Sequence, residues 1–174
     1  MIDILKNSLR KAAQTGIISK TGICLSNEYE LLGAELKEII KRRFSRSFHI
    51  REVDTGSCGI CESEIITATN PIYDIQRFGI DFVASPRHAD ALLVTGPVSK
   101  NMELALKRTY DAAPSPKLVI TLGDCALDGG KFKNSYYTLS GVKNVLPVAA
   151  HVPGCPPSPV DIIKTILALL GKCG

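Results

Sequence analysis

Ala91-Leu92-Leu93-Val94-Thr95-Gly96-Pro97 and Leu118-Val119-Ile120-Thr121-Leu122-Gly123-Asp124-Cys125 bracket the segment that decides the fold. Each opens on a short, nearly unbroken apolar run and stops at a glycine, the pattern of a strand buried on both faces. Between them, Asn101–Ala112 places Met102, Leu104, Ala105, Leu106 and Tyr110 at helical spacing. Strand, helix and strand in that order imply a parallel pair joined by a crossover helix.

The same grammar extends outward. Phe48–Val53 alternates apolar and polar residues as a strand does, Ile60–Thr69 suits a helix, and Phe82–Ala84 a short strand. Beyond the core pair, Leu146–Ala150 is expected as a further strand, and Pro159–Leu170 as a helix with proline in its first turn. Such alternation predicts an α/β fold with a doubly wound, mostly parallel sheet over residues 45–174. Residues 1–44 read as an N-terminal helical extension. Ile2, Leu5 and Leu9 lie at helical spacing beside Lys6, Arg10 and Lys11. A second helix from Glu28 to Arg43 carries Leu31, Leu32, Leu36, Ile39 and Ile40 on one broad face. It ends in Lys41-Arg42-Arg43, with Arg46 following. That run is either a solvated helix end favoured by the dipole or a dock for an anionic membrane or acidic partner.

The chain has 174 residues, 45% of them hydrophobic, enough for one domain with a real core. A formal charge of +4 with 6% aromatics and no Trp argues against a nucleic-acid interface, which concentrates more basic charge beside exposed aromatics. No apolar stretch reaches the roughly 20 residues needed to span a bilayer, and the first residues lack a secretory core. The expected setting is therefore the cytoplasm. Disulfides are rare there, so six cysteines call first for metal.

Four cysteines share a setting. Cys58 and Cys61 follow the first strand, Cys125 follows Leu118–Leu122, and Cys155 follows the last. In a doubly wound sheet, ligands bind outside the carboxyl ends of the strands, so these four thiols are expected to meet on one edge. Small residues and prolines surround them: Gly56, Gly59, Gly123, Gly154, Pro156 and Pro157. Glycine admits a bulky inorganic group, and proline stiffens the loop. Four thiolates suit an iron–sulfur cluster or tetrahedral zinc, and Cys58-Gly59-Ile60-Cys61 alone suits thiol redox chemistry. Only one pair is close in sequence, which fits a cofactor laid across a preformed crevice. Cys24 and Cys173 lie outside this setting and read as ordinary cysteines. His88 and His151 are loop histidines that could hydrogen-bond to a cluster or simply to the surface. Asp124 is a turn residue or an acceptor behind Cys125, and Gly129-Gly130 marks a loop.

Read together, Thr55-Gly56-Ser57-Cys58-Gly59-Ile60-Cys61-Glu62-Ser63-Glu64-Ile65, Arg77-Phe78-Gly79-Ile80, Ala84-Ser85-Pro86-Arg87-His88-Ala89-Asp90, Val94-Thr95-Gly96-Pro97-Val98-Ser99, Gly123-Asp124-Cys125 and Val152-Pro153-Gly154-Cys155-Pro156-Pro157 resemble a known family. It comprises the small subunits of energy-converting, membrane-bound NiFe hydrogenases and the homologous cluster-bearing B-type subunit of respiratory complex I. The resemblance covers roughly Ser47 to Leu170. It implies a flavodoxin-like fold and one 4Fe–4S cluster on Cys58, Cys61, Cys125 and Cys155. It also implies three kinds of partner: a large catalytic subunit, a ferredoxin-type iron–sulfur subunit and integral membrane subunits. The chain would then lie peripherally on the inner face of a membrane. Its role would be electron transfer within a hydrogenase, formate-hydrogenlyase-like, or within a complex-I-like oxidoreductase. In the complex I branch the first two ligands are adjacent, whereas Gly59 and Ile60 separate them here, as in hydrogenases. Hydrogenases usually have glycine immediately before the second cysteine, where this chain has Ile60. The resemblance further assigns Glu64 to proton movement near the partner's metal centre. From the residues alone, Glu64 reads as a helix-start carboxylate, and Glu62 fits that reading at least as well. A zinc-stabilised interaction module is the rival of another class.

Overall fold

The computed structural model describes residues 27–172. The stretch 1–26, with Cys24 and the first expected helix, lies outside them, as do Cys173 and Gly174. The described chain opens with α1 (Asn27–Phe44), followed by β1 (Phe48–Asp54) and α2 (Ile60–Ala68). After a 3-10 turn at Ile75–Phe78 come β2 (Ile80–Phe82), a second turn at Pro86–His88, β3 (Ala91–Thr95), α3 (Glu103–Ala112) and β4 (Leu118–Leu122). A short α4 (Asp124–Asp128), β5 (Ala150–Val152) and α5 (Pro159–Lys172) complete it.

All five strands are parallel, in the order β2-β1-β3-β4-β5. This is the flavodoxin-like doubly wound order, whose switch point falls between β1 and β3. The alternation of strand residues sorts the core onto two faces. Phe48, Ile50, Ala91, Leu93, Ile120 and Leu122 point to the side covered by α1, α2 and α5. Val53, Leu92, Val94 and Val119 point to the side covered by α3 and the segment after β4, through Leu106, Ala126 and Val142. Every residue of β3 is buried, as a central strand with helices on both faces requires.

The helix expected in the N-terminal extension shares this core. Tyr29, Leu36 and Ile40 of α1 are buried in it beside Ile162, Ile163, Ile166 and Leu170 of α5. Leu31, expected on the apolar face of α1, is 71% exposed. At the start of α5, Ser158 and Asp161 form a capping box: the Asp161 amide donates to Ser158 Oγ (3.3 Å), and the Ser158 amide donates to Asp161 Oδ2 (3.1 Å).

Two short strands differ from the sequence expectation. The strand expected at Phe82–Ala84 lies at Ile80–Phe82, because β2 pairs from the first residue of β1 (Phe48 opposite Ile80) and the chain then turns at Ser85-Pro86. The strand expected at Leu146–Ala150 begins only at Ala150. Leu146 is still in a turn, its amide donating to the Val142 carbonyl, and Pro147 has no N–H to offer a ladder. Pairing with β4 starts at Ile120 opposite Ala150.

Candidate metal centre

The four cysteines expected to converge do so at the carboxyl edge of the sheet. Cys58 sits in the loop after β1, Cys61 in the first turn of α2, Cys125 in the first turn of α4, and Cys155 in the loop after β5. All four line one narrow cleft with Ser57, Ile60, Gly96, Pro97, Gly123 and Phe132. None forms a disulfide; Cys58 and Cys155 are exposed, Cys61 and Cys125 half-buried.

Hydrogen bonds fix the loops that carry them. Asp54 Oδ1 accepts from the amides of Gly56 and Ser57, both at 2.8 Å, turning the chain sharply after β1. Thr55, fully buried, donates its hydroxyl to the Thr95 carbonyl at 2.6 Å, and the Val98 amide donates to that hydroxyl. The loops after β1 and β3 are thereby pinned together at the switch point. They approach so closely that a Cβ on Gly96 (φ +81°) would stand 2.6 Å from the Ser57 amide nitrogen. On the other side, the Gly154 amide donates to Asp124 Oδ1 at 3.0 Å, and the Asp124 amide donates to the Gly154 carbonyl at 3.0 Å. Asp124 thus clamps the Cys125 loop to the Cys155 loop.

Space at the centre is reserved by glycine. A Cβ at Gly123 (φ +84°) would lie 2.9 Å from Cys61 Sγ, filling the floor of the cleft between thiols. Among the described residues, no three His, Cys, Asp or Glu side chains stand close enough to share a single ion. The donor set, four thiols from three separated loops around a glycine-floored cleft, fits a group larger than one ion.

Burial, followed by the neighbouring Glu62 carboxylate and then the other three cysteines, pushes the Cys61 thiol up to about 12. Burial likewise raises Cys125, opposed in part by a backbone hydrogen bond from Lys131. Cys61 and Cys125 therefore keep their protons at neutral pH unless a compensating positive charge is supplied. A bound metal supplies that charge, and its uptake releases protons.

Beside the cysteines lies a feature that the motif did not reveal. Ser57 Oγ donates to Glu62 Oε2 at 2.7 Å and accepts from the Gly59 amide at 2.9 Å, so Glu62 braces the Cys58–Cys61 loop. Its other oxygen, Oε1, is buried without a partner, as is Glu52 Oε1 on β1. Burial and then the Glu62 carboxylate raise Glu52 above the usual carboxylate range. Both carboxylates line a groove of about 410 Å³ with Arg51, Ile65, Ile66 and Phe82. The signal for Glu52 was the strand period: it has the parity of Phe48 and Ile50, which face the core.

Glu64, one turn into α2, is half-buried and lines neither the cleft nor the groove. His151 Nδ1 lies 3.0 Å from the Thr121 hydroxyl, and its Nε2 is 3.7 Å from Asp124 Oδ1. His88 precedes β3 at the opposite edge of the sheet, away from the cysteines.

Residues 58–169 match the family described as NADH ubiquinone oxidoreductase, 20 Kd subunit. Over 138 residues the chain is 39% identical to formate hydrogenlyase subunit 7 of Escherichia coli, covering 79% of this chain and 54% of that protein. It therefore spans about half the length of that relative. Over 127 residues it is 44% identical to a probable membrane-bound hydrogenase subunit of Pyrococcus furiosus, covering 73% of this chain and 76% of that one. Among solved structures, a chain of the membrane-bound sulfane sulfur reductase, an archaeal respiratory membrane complex, superposes with a TM-score of 0.66 at 29% identity, covering 79% of this chain and 75% of that one.

Proposed function

Because the chain belongs to the family of NADH ubiquinone oxidoreductase 20 Kd subunits, we propose that it is the electron-transfer subunit of a multi-subunit, membrane-associated NiFe hydrogenase, holding one 4Fe–4S cluster on Cys58, Cys61, Cys125 and Cys155. The observation that carries this reading is the convergence of those four thiols in one cleft at the switch edge of the sheet. Such a cluster, when bound, accepts and releases single electrons.

The protein's own residues hold and shield it. The Asp54, Thr55 and Asp124 hydrogen bonds set the ligand loops before the group binds. That preorganisation lowers the cost of assembling four ligands. Ile60 and Phe132, 51% and 45% exposed, stand at the mouth of the cleft, where an apolar partner surface would cover them and exclude water. The partner proposed there is the large catalytic subunit. A ferredoxin-type subunit delivers electrons, and integral membrane subunits anchor the assembly on the inner face of the membrane. The names of the Escherichia coli and Pyrococcus furiosus relatives support a hydrogenase assignment. The two-residue spacing of Cys58 and Cys61 supports it over the complex-I-like alternative, in which these ligands would be adjacent. Glu64 is proposed to carry protons between solvent and the partner's metal centre, a role a half-buried carboxylate can fill.

Isolation of the chain with its natural partners, under anaerobic conditions, tests the assignment. A co-purifying large subunit with nickel supports the hydrogenase. A nickel-free partner that passes electrons to a quinone supports the complex-I-like reading, and stoichiometric zinc in this chain supports an interaction module.

A further inference from the structure

The edge of the sheet opposite the cysteines carries a concentration of positive charge that cluster binding does not use. Between Lys37 and His49 the chain has five cations, Lys37, Lys41, Arg42, Arg43 and Arg46, against one carboxylate, Glu38. That net of four positive charges equals the formal charge of the whole chain. The fold gathers it at one place, because α1 ends where β1 begins. Arg87 and His88, in the turn before β3, join the same edge and are exposed.

Arg46 links the two groups. Its guanidinium holds Asp90 with two hydrogen bonds of 2.8 Å, and Asp90 also accepts from the His49 amide. Asp90 is thus neutralised by Arg46, which leaves Glu38 and Asp81, opposite His49 in the sheet, as the carboxylates near this edge. Among the described residues, Lys37, Lys41, Arg42, Arg43 and Arg87 have no ion-pair partner. Arg46, His49, Arg87, His88, Asp90 and Pro114 surround an open pocket of about 300 Å³, large enough for a phosphate-bearing headgroup.

The chemistry of this edge contrasts with that of the other. None of the large exposed apolar side chains among the described residues lines the two pockets at this edge, whereas Ile60 and Phe132 stand at the cysteine edge. A protein interface needs an apolar core. An anionic lipid surface needs only accessible cations, each contributing on its own. We propose that this cationic edge is the surface by which the protein rests on a bilayer of anionic phospholipid, with the strands directed away from it. Since β1 spans seven residues, the cysteine edge then stands about 20 Å above the headgroups. The inference deepens the membrane association proposed above and rests on it.

Sedimentation of the full, cluster-loaded chain with vesicles tests it, using phosphatidylcholine alone and an equal mixture of phosphatidylcholine and phosphatidylglycerol. The chain should partition onto the anionic vesicles only, and release with added salt. Lys41→Gln with Arg42→Gln should weaken partition about tenfold or more. Lys100→Gln with Lys143→Gln, which removes the same charge from the loops after β3 and α4, should leave it unchanged. Equal binding to neutral vesicles, no anionic binding, or an equal loss in both double variants would overturn the proposal. Visible absorption of the same samples reports the cluster. An intact cluster without anionic preference rejects only this surface, whereas absence of the cluster rejects the electron-transfer reading.

Discussion

Cys61 shows how strongly the centre depends on what binds there. Its thiol is held protonated by burial and by carboxylate and thiol neighbours, so on the proposed reading it would become a ligand only when a metal replaces its proton. Each of Cys58→Ala, Cys61→Ala, Cys125→Ala and Cys155→Ala should therefore abolish or alter the electron paramagnetic resonance signal of the reduced protein. Cys24→Ala and Cys173→Ala should leave it unchanged. An unaltered signal in Cys125→Ala would remove that residue from the ligand set. Glu52 is a separate case, because its raised pKa comes from burial and Glu62 rather than from the thiols. A carboxyl that binds its proton more tightly in the folded state stabilises fully below the ordinary carboxylate range, and loses that contribution as pH rises through its raised value. Glu52→Gln keeps the neutral form at every pH. It should raise the melting temperature by roughly 2–4 °C near pH 7 and leave it close to the parent near pH 4. A lower melting temperature at neutral pH would show that the charged carboxylate is needed. Glu64→Gln should leave the cluster reducible while cutting hydrogen turnover of the assembled complex at least ~10-fold. Unchanged turnover would reduce Glu64 to a helix-start residue.

At the scale of elements, the sequence was most informative where a pattern was long. β3 and β4 were legible residue for residue, because a strand buried on both faces reads as a short, nearly continuous apolar run, with only Thr95 and Thr121 as small polar members. β2 and β5 have only three residues each, and their positions depend on which neighbouring residue they pair with, which no local pattern records. The convergence of Cys58, Cys61, Cys125 and Cys155 was legible for the same reason as the fold: each follows a strand end. Glu52 and Ser57 were not singled out, since their importance arises from contacts with Glu62 across α2. Gly33 in α1 is another residue whose role only packing reveals. Glycine is the weakest helix former after proline, yet a Cβ here would overlap the ring of Phe78, which is buried between α1 and the turn before β2. Gly33→Ala should gain about 1 kcal/mol of helix propensity and lose about 1–3 kcal/mol to overpacking. A net drop in thermal stability is expected. A rise would mean that the Phe78 ring moves aside without cost.

Across the whole molecule, the sheet separates two chemistries. Thiols, glycines and the exposed Ile60 and Phe132 side chains stand at the carboxyl edge, and cations without an ion-pair partner among the described residues stand at the amino edge. The separation follows from the doubly wound topology, which sends every strand in one direction and so gives the sheet two unlike ends. On the proposed reading, one end holds a redox group against a partner. Metal and sulfide analysis of the anaerobically purified chain tests that claim most directly. The account predicts about four irons and four acid-labile sulfides per chain, with an absorption band near ~400 nm from thiolate–iron charge transfer. Stoichiometric zinc with neither iron nor labile sulfide would contradict it.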